Sequence, residues 1–156
     1  SHLDWSPPYP APTHTTLPMP EKIMDRYILV VTDEEAQKLF PTPEAFLWVV
    51  DITDETRPIP ISTYMIPHDD NGKGRFGAHQ PAEQVYCNVL YVTWFAGGLR
   101  AVDFSDPYNP IEVGYYVPLP SKGQKTVQSN DVYHGKEGLL YLIDRFNGLE
   151  ILEPQV

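Results

Sequence analysis

The chain repeats itself, and that limits its fold more than any bulk property does. Val50-Asp51-Ile52-Thr53-Asp54, followed by Pro58-Ile59, aligns without a gap on Val102-Asp103-Phe104-Ser105-Asp106, followed by Pro110-Ile111, at an offset of 52. Leu90-Tyr91-Val92 with Gly98-Leu99 aligns on Leu140-Tyr141-Leu142 with Gly148-Leu149 at an offset of 50. Two ungapped matches at nearly one period mark a tandem array. In such an array each unit is one supersecondary element that buries its apolar face only against its neighbours.

The units read as strands. Tyr27 to Thr32, Phe46 to Ile52, Val89 to Trp94, Leu99 to Phe104, Ile111 to Val117 and Leu139 to Ile143 are short runs of Val, Ile, Leu and aromatics, bounded by Gly, Pro, Asn or Asp. Seventeen prolines and ten glycines exclude an all-helical bundle, while 42% apolar residues are enough for a real core. Ala96-Gly97-Gly98 and Phe146-Asn147-Gly148 have hairpin-turn chemistry, and Ser105-Asp106-Pro107-Tyr108-Asn109-Pro110 that of a wider turn. The predicted fold class is all-β: antiparallel four-stranded blades of a β-propeller, about three of them. The predicted blades span 13–67, 78–118 and 126–156, the last lacking a fourth strand. Innermost strands are expected at His14 to Met19, Pro81 to Tyr86 and Ser129 to Tyr133. The Pro-rich residues 1–12 are expected to form an arm or, through Ser1 to Trp5, the missing closing strand. A helix is expected only at Asp33 to Leu39.

The segment from Gly98 to Pro118, GLRAVDFSDPYNPIEVGYYVP, resembles the LVIVD repeat: Gly-Leu, an apolar-Val-Asp core, Asp-Pro-x-x-Pro, then an apolar-Gly strand. Leu47 to Pro67 resembles a second copy, with Glu55 where the pattern prefers Pro and Ser62 where it prefers Gly. Gly138 to Glu153 is similar to a terminal copy that has lost the Asp of the Val-Asp pair. The resemblance implies a propeller of six or seven blades from exported, periplasmic or cell-surface proteins, most without an assigned activity. A more distant similarity, at the level of fold, is to the selenium-binding protein and methanethiol oxidase propellers.

Charge and cysteine content narrow the function. A net charge of −10 opposes binding to nucleic acid or anionic membranes. The single Cys87 excludes an internal disulfide and a thiolate zinc site, and is expected to be a small buried hydrophobe. No apolar run approaches the length of a membrane span. Fewer than three full blades cannot close a ring, so the chain is expected to associate with itself or with the remaining blades of a parent chain.

Propeller sites lie where inner strands and their loops converge at the channel mouth. By this strand assignment His14, His79 and Gln128 or Asn130 open successive inner strands, while Asp33-Glu34, Trp94 and Asp144-Arg145 close the second strands at one register. Imidazole with carboxylate suits a divalent transition metal. The predicted metal ligands are therefore His14, His79, Asp33 and Asp144, and the predicted ligand-binding residues are Glu34, Trp94, Gln128, Asn130 and Arg145. The competing reading is a polar channel lining that hydrogen-bonds strand ends. Asp51 and Asp103, repeating at 52 residues, are expected to accept backbone donors in their turns. Asp69 to Gly74 lacks the terminal Glu and flanking helices of a calcium loop. Two functions follow: a binding module for a ligand, metal or protein partner, or a metal-dependent oxidoreductase or hydrolase with a His-carboxylate centre.

Overall fold

A computed structural model describes residues 1–5, 9, 11–34, 45–67 and 74–155. Ten strands form three antiparallel sheets, with no helix among the described residues. The first sheet runs in the order β1 (Thr13–Pro18), β2 (Ile28–Asp33), β3 (Leu47–Asp51) and β4 (Ile59–Tyr64). The second holds β5 (Val89–Thr93), β6 (Leu99–Asp103) and β7 (Ile111–Tyr116); the third holds β8 (Ser129–His134), β9 (Leu140–Asp144) and β10 (Gly148–Leu152). Strands adjacent in sequence are adjacent in each sheet, which is how a propeller blade is wound.

The strands expected from the apolar runs are present, with one shift. The inner strand predicted at Pro81 to Tyr86 is instead an irregular segment that pairs earlier with β5. His79 N donates to Thr93 O at 2.9 Å, Thr93 N to Gln80 O at 3.0 Å and Ala82 N to Tyr91 O at 2.8 Å. Pro81 has no N–H to give, so the ladder breaks there and only a bridge to Val92 remains. Two further expectations fail. Cys87 is exposed, because it sits at φ 52 in the tight turn into β5. Asp33 ends β2 as strand rather than opening a helix, and 35–39 of that predicted helix lie outside the described residues.

Asp51 and Asp103 hold their turns as expected. Asp51 Oδ1 accepts from Thr53 N at 2.9 Å and Asp103 Oδ1 from Ser105 N at 2.7 Å. The same register carries the same β-bulge in both copies, between Val49 and Val50 and between Ala101 and Val102. The repeat is thus conserved down to its backbone irregularity.

Which face of each sheet meets its neighbour follows from the outer strands. Ser62 Oγ donates to Pro107 O at 2.6 Å and Tyr64 Oη to Glu112 Oε2 at 2.8 Å, so the β4 face bearing Ser62 and Tyr64 looks at the second sheet. Tyr116 Oη donates to Glu150 Oε2 at 2.6 Å and joins the second sheet to the third. Tyr116 is therefore a bridging group, while Tyr115 stays mostly in solvent instead of packing between blades. Between the last two sheets, Tyr91, Leu99 and Ala101 pack with Val132, Leu140 and Leu142.

The ends of the array differ. Trp48 lies on the face of the first sheet turned away from the second, since its β4 partner is Thr63. Trp5 stacks on it at 4.8 Å with an interplanar angle of 18°, and Tyr9 meets it edge-on at 5.0 Å. Ser1 to Trp5 form no strand; Trp5 and Tyr9 cover this face of the first sheet, and residues 6–8 and 10 lie outside the described residues. The outer face of the third sheet is bare: Tyr133, Ile143, Leu149 and Ile151 are 51, 43, 56 and 59% exposed. The counterparts of Ile143, Leu149 and Ile151 one repeat earlier, Thr93, Leu99 and Ala101, are buried against the next sheet. The three blades do not close a ring.

Candidate functional site

Two bulges and one irregular strand build the site. In β1, Thr13 pairs with Asp33 and Thr15 with Thr32, leaving His14 as the extra residue. In β8, Ser129 pairs with Asp144 and Asp131 with Ile143, leaving Asn130 as the extra residue. A bulge turns its residue out of the sheet's alternation, which lets a side chain be aimed across a sheet edge. His79 occupies the same level in the irregular inner segment of the second sheet.

The three inner edges meet there. The His14 and His79 rings stand 4.4 Å apart, and Glu34, one residue beyond β2, lies between their Nε2 atoms. His14 Nε2 is 3.8 Å from Glu34 Oε2, and His79 Nε2 is 3.6 Å from Glu34 Oε1. One ligand atom from each residue falls within 4.8 Å of the others. Atoms bound to one ion at about 2.0–2.2 Å stand about 3–4 Å apart, so this set needs only a small contraction to hold a cation.

Hydrogen bonds select the tautomers. His79 Nδ1 is 2.6 Å from Asn130 O, which only accepts, so Nδ1 carries the proton and Nε2 presents a lone pair to Glu34. Thr15 Oγ1 donates to Gln80 Oε1 at 3.0 Å. With that proton used, the 2.7 Å contact between His14 Nδ1 and Thr15 Oγ1 must be donated by the ring, and its Nε2 too is left as an acceptor. Outer hydrogen bonds of this kind orient metal-binding imidazoles. Burial pushes the His79 imidazole below its ordinary value, even against the pull of the Asn130 carbonyl and Glu34, and keeps it neutral near pH 7.

Arg75 neutralises the carboxylate. Its Nη2 lies 2.5 Å from Glu34 Oε1. Partial burial pushes the Glu34 carboxyl up, but the hydrogen bond and positive charge of Arg75 hold it below the usual carboxylate range. The Arg75 guanidinium carbon stands 3.9 Å from the centroid of Phe95, and that of Arg145 stands 5.9 Å from the same ring. His79 also packs on Phe95, at 4.6 Å. Phe95 is wholly buried at φ 47, a left-handed conformation costly for a bulky residue, and such strain gathers at functional sites.

The remaining expected residues divide in two. Asn130 and Gln128 join the cluster's surround: Asn130 Oδ1 accepts from Arg145 Nε at 2.6 Å, and Gln128 Nε2 donates to Arg75 O at 3.5 Å. Arg145 lies at the edge, exposed. Asp33, Asp144 and Trp94 are not brought into it. Asp33 accepts from Trp48 Nε1 at 2.9 Å; burial raises its carboxyl to about 6 although Trp48 and Thr13 pull it down. Asp144 holds its own turn, accepting from Phe146 N at 2.9 Å, and ties it to the start of β8 by accepting from Gln128 N at 2.7 Å. Trp94 is buried in the core and meets Tyr64 edge-on at 5.9 Å. Arg75, Phe95, Thr15 and Gln80 escaped the sequence reading. Only the crowding of Arg75 and Phe76 before Gly77-Ala78-His79 could have pointed to the first of them.

Comparison with known families gives one match: residues 84–117 fit the LVIVD repeat. The match covers the second sheet from the Tyr86 turn to the end of β7, and the chain carries that repeat. No curated protein matches the chain.

Proposed function

We propose that this LVIVD-repeat chain is a propeller module that binds one divalent transition metal through His14 Nε2, His79 Nε2 and Glu34, where its inner strands converge. The observation that supports this best is the pair of tied-off Nδ1 atoms: both imidazoles present lone pairs to one carboxylate within 4.8 Å. A polar lining would need hydrogen-bond partners, yet it would have no reason to leave two adjacent acceptors facing an anion. Two imidazoles and a carboxylate leave coordination positions open, as in catalytic rather than structural sites. That keeps an oxidoreductase or hydrolase activity as the finer alternative to pure binding.

A second part of the reading rests on the bare third sheet. Its apolar outer face matches the face that the second sheet buries, so a further blade, from a parent chain or another copy, is the covering element. Equilibrium dialysis of the purified protein against Zn²⁺, Mn²⁺, Co²⁺ and Cu²⁺, with metal analysis, tests the metal site. One equivalent of one metal, lost in both His14→Ala and His79→Ala, is expected. Substoichiometric metal for all four, or binding indifferent to both substitutions, would show the reading wrong.

A further inference from the structure

The third sheet ends one strand early. Its order β10-β9-β8 leaves β10 at an edge, whereas β3 and β6 are flanked by β4 and β7. A groove of about 350 Å³ lies between β7 and that edge, with Gly114 and Tyr116 on the β7 side and Leu152 and Pro154 on the other. Unpaired N–H and C=O groups beside an apolar groove accept an extended segment as a further strand. The charge of that segment follows from the repeat. Position for position, the outer strands β4 and β7 carry Pro60 and Glu112, Ser62 and Gly114, then Tyr64 and Tyr116. The strands beside them, and β10, carry Trp48, Arg100 and Glu150 at one equivalent position. The first two sheets match the two positions: apolar Trp48 goes with apolar Pro60, and Arg100 Nη1 pairs with Glu112 Oε2 at 3.3 Å. Tyr64 of the first sheet donates to that carboxylate at 2.8 Å. In the third sheet the sign is reversed. Tyr116, at the Tyr64 position, donates to Glu150 itself at 2.6 Å, and no cation pairs with Glu150 among the described residues. A second carboxylate at the Glu112 position would be repelled there, and a Lys or Arg attracted.

We propose that β10 takes an extended basic segment of another polypeptide as its fourth strand, with Lys or Arg beside Glu150, Gly or Ser two residues on, and Tyr two further. The small residue takes the place of Ser62 and Gly114, and the Tyr that of Tyr64 and Tyr116, whose hydroxyls face the following sheet. No segment of this chain combines Lys or Arg with Gly or Ser two residues on and Tyr two further, so a second copy does not supply the strand. The net charge of −10 favours a basic partner at longer range as well. The covering blade proposed above packs on the outer face of the third sheet; this strand extends its edge, and no metal is involved.

The probe is a fluorescent peptide copying Asn109 to Pro118 with Glu112→Lys, and the unchanged copy is the control. Fluorescence anisotropy with the purified protein is expected to show saturable binding of the lysine peptide, about tenfold tighter than the control and weakened by salt. Hydrogen exchange should slow in β10 when that peptide binds. Glu150→Lys should reverse the preference, because it recreates the signs of the Arg100–Glu112 pair. Glu150→Gln, a milder change for folding, should remove the preference. Affinity indifferent to the peptide's charge, or a preference unchanged in both variants, overturns the basic segment. Binding of neither peptide overturns docking at β10. A self-associated protein whose β10 amides already exchange slowly without peptide gives the edge to a second copy and overturns the proposal too.

Discussion

Gly98 and Gly148 occupy the same position in successive repeats, and substituting each with Ala should have unequal effects. Both are left-handed, at φ 79 and 87, so an L side chain there costs about 1–2 kcal/mol in either copy. They differ in what lies beside them. A Cβ on Gly98 would come 2.3 Å from Tyr116 O and 2.9 Å from Val117 Cα, the backbone at the end of β7. Backbone atoms cannot rotate away as a side-chain end can, and forcing an extra carbon against them adds about 1–3 kcal/mol. A Cβ on Gly148 meets nothing within 4 Å, because the third sheet has no fourth strand. Gly98→Ala should therefore cost about 2–5 kcal/mol and Gly148→Ala only the backbone share, about 1–2 kcal/mol. Urea titration followed by tryptophan fluorescence reads the difference. With a slope of about 1–3 kcal/mol/M, the two midpoints should separate by roughly 1 M. Equal midpoints, or a larger loss in Gly148→Ala, would refute the strand-for-strand equivalence of the two blades. A Gly148→Ala protein that loses stability only where the chain associates would place a borrowed fourth strand beside β10.

Two further expectations follow from the contacts between and within blades. Tyr64→Phe removes the Tyr64 Oη to Glu112 bond across the first interface and should cost about 1 kcal/mol; a double-mutant cycle with Glu112→Ala should show coupling, and additive losses would dismiss the bond as a contributor. At Asp51, burial pushes the carboxyl up, but hydrogen bonds from Thr53 and the Arg26 guanidinium outweigh it and hold the group below its ordinary value. A depressed acid stabilises above its unfolded value of about 4 and loses that contribution as pH falls through the folded one. The stability gap between wild type and Asp51→Asn should accordingly close as pH is lowered from 4 to 2, and a gap independent of pH would contradict it.

Much of this molecule was legible in the chain because its information is local. Alternation of apolar residues, Gly and Asn at positive-φ turns and Asp-Pro turns act over a few residues, and their recurrence near fifty residues needs no tertiary knowledge to detect. The strands, the turn roles of Asp51 and Asp103 and the meeting of His14 with His79 all came from that recurrence. The rest was decided by packing. Pro81 broke a ladder that the pattern continued. Asp33 and Asp144 share their register with Glu34 and Arg145 to within one residue, and a one-residue step along a strand reverses the face a side chain takes. The step sent Asp33 into the core toward Trp48 and left Glu34 at the imidazoles. Arg75 reached the site from a loop with no periodic signature, and Phe95 adopted a strained turn that its sequence does not favour. Long-range charge and ring contacts of this kind depend on where three sheet edges converge, which is set by the blades' mutual packing rather than by any single repeat.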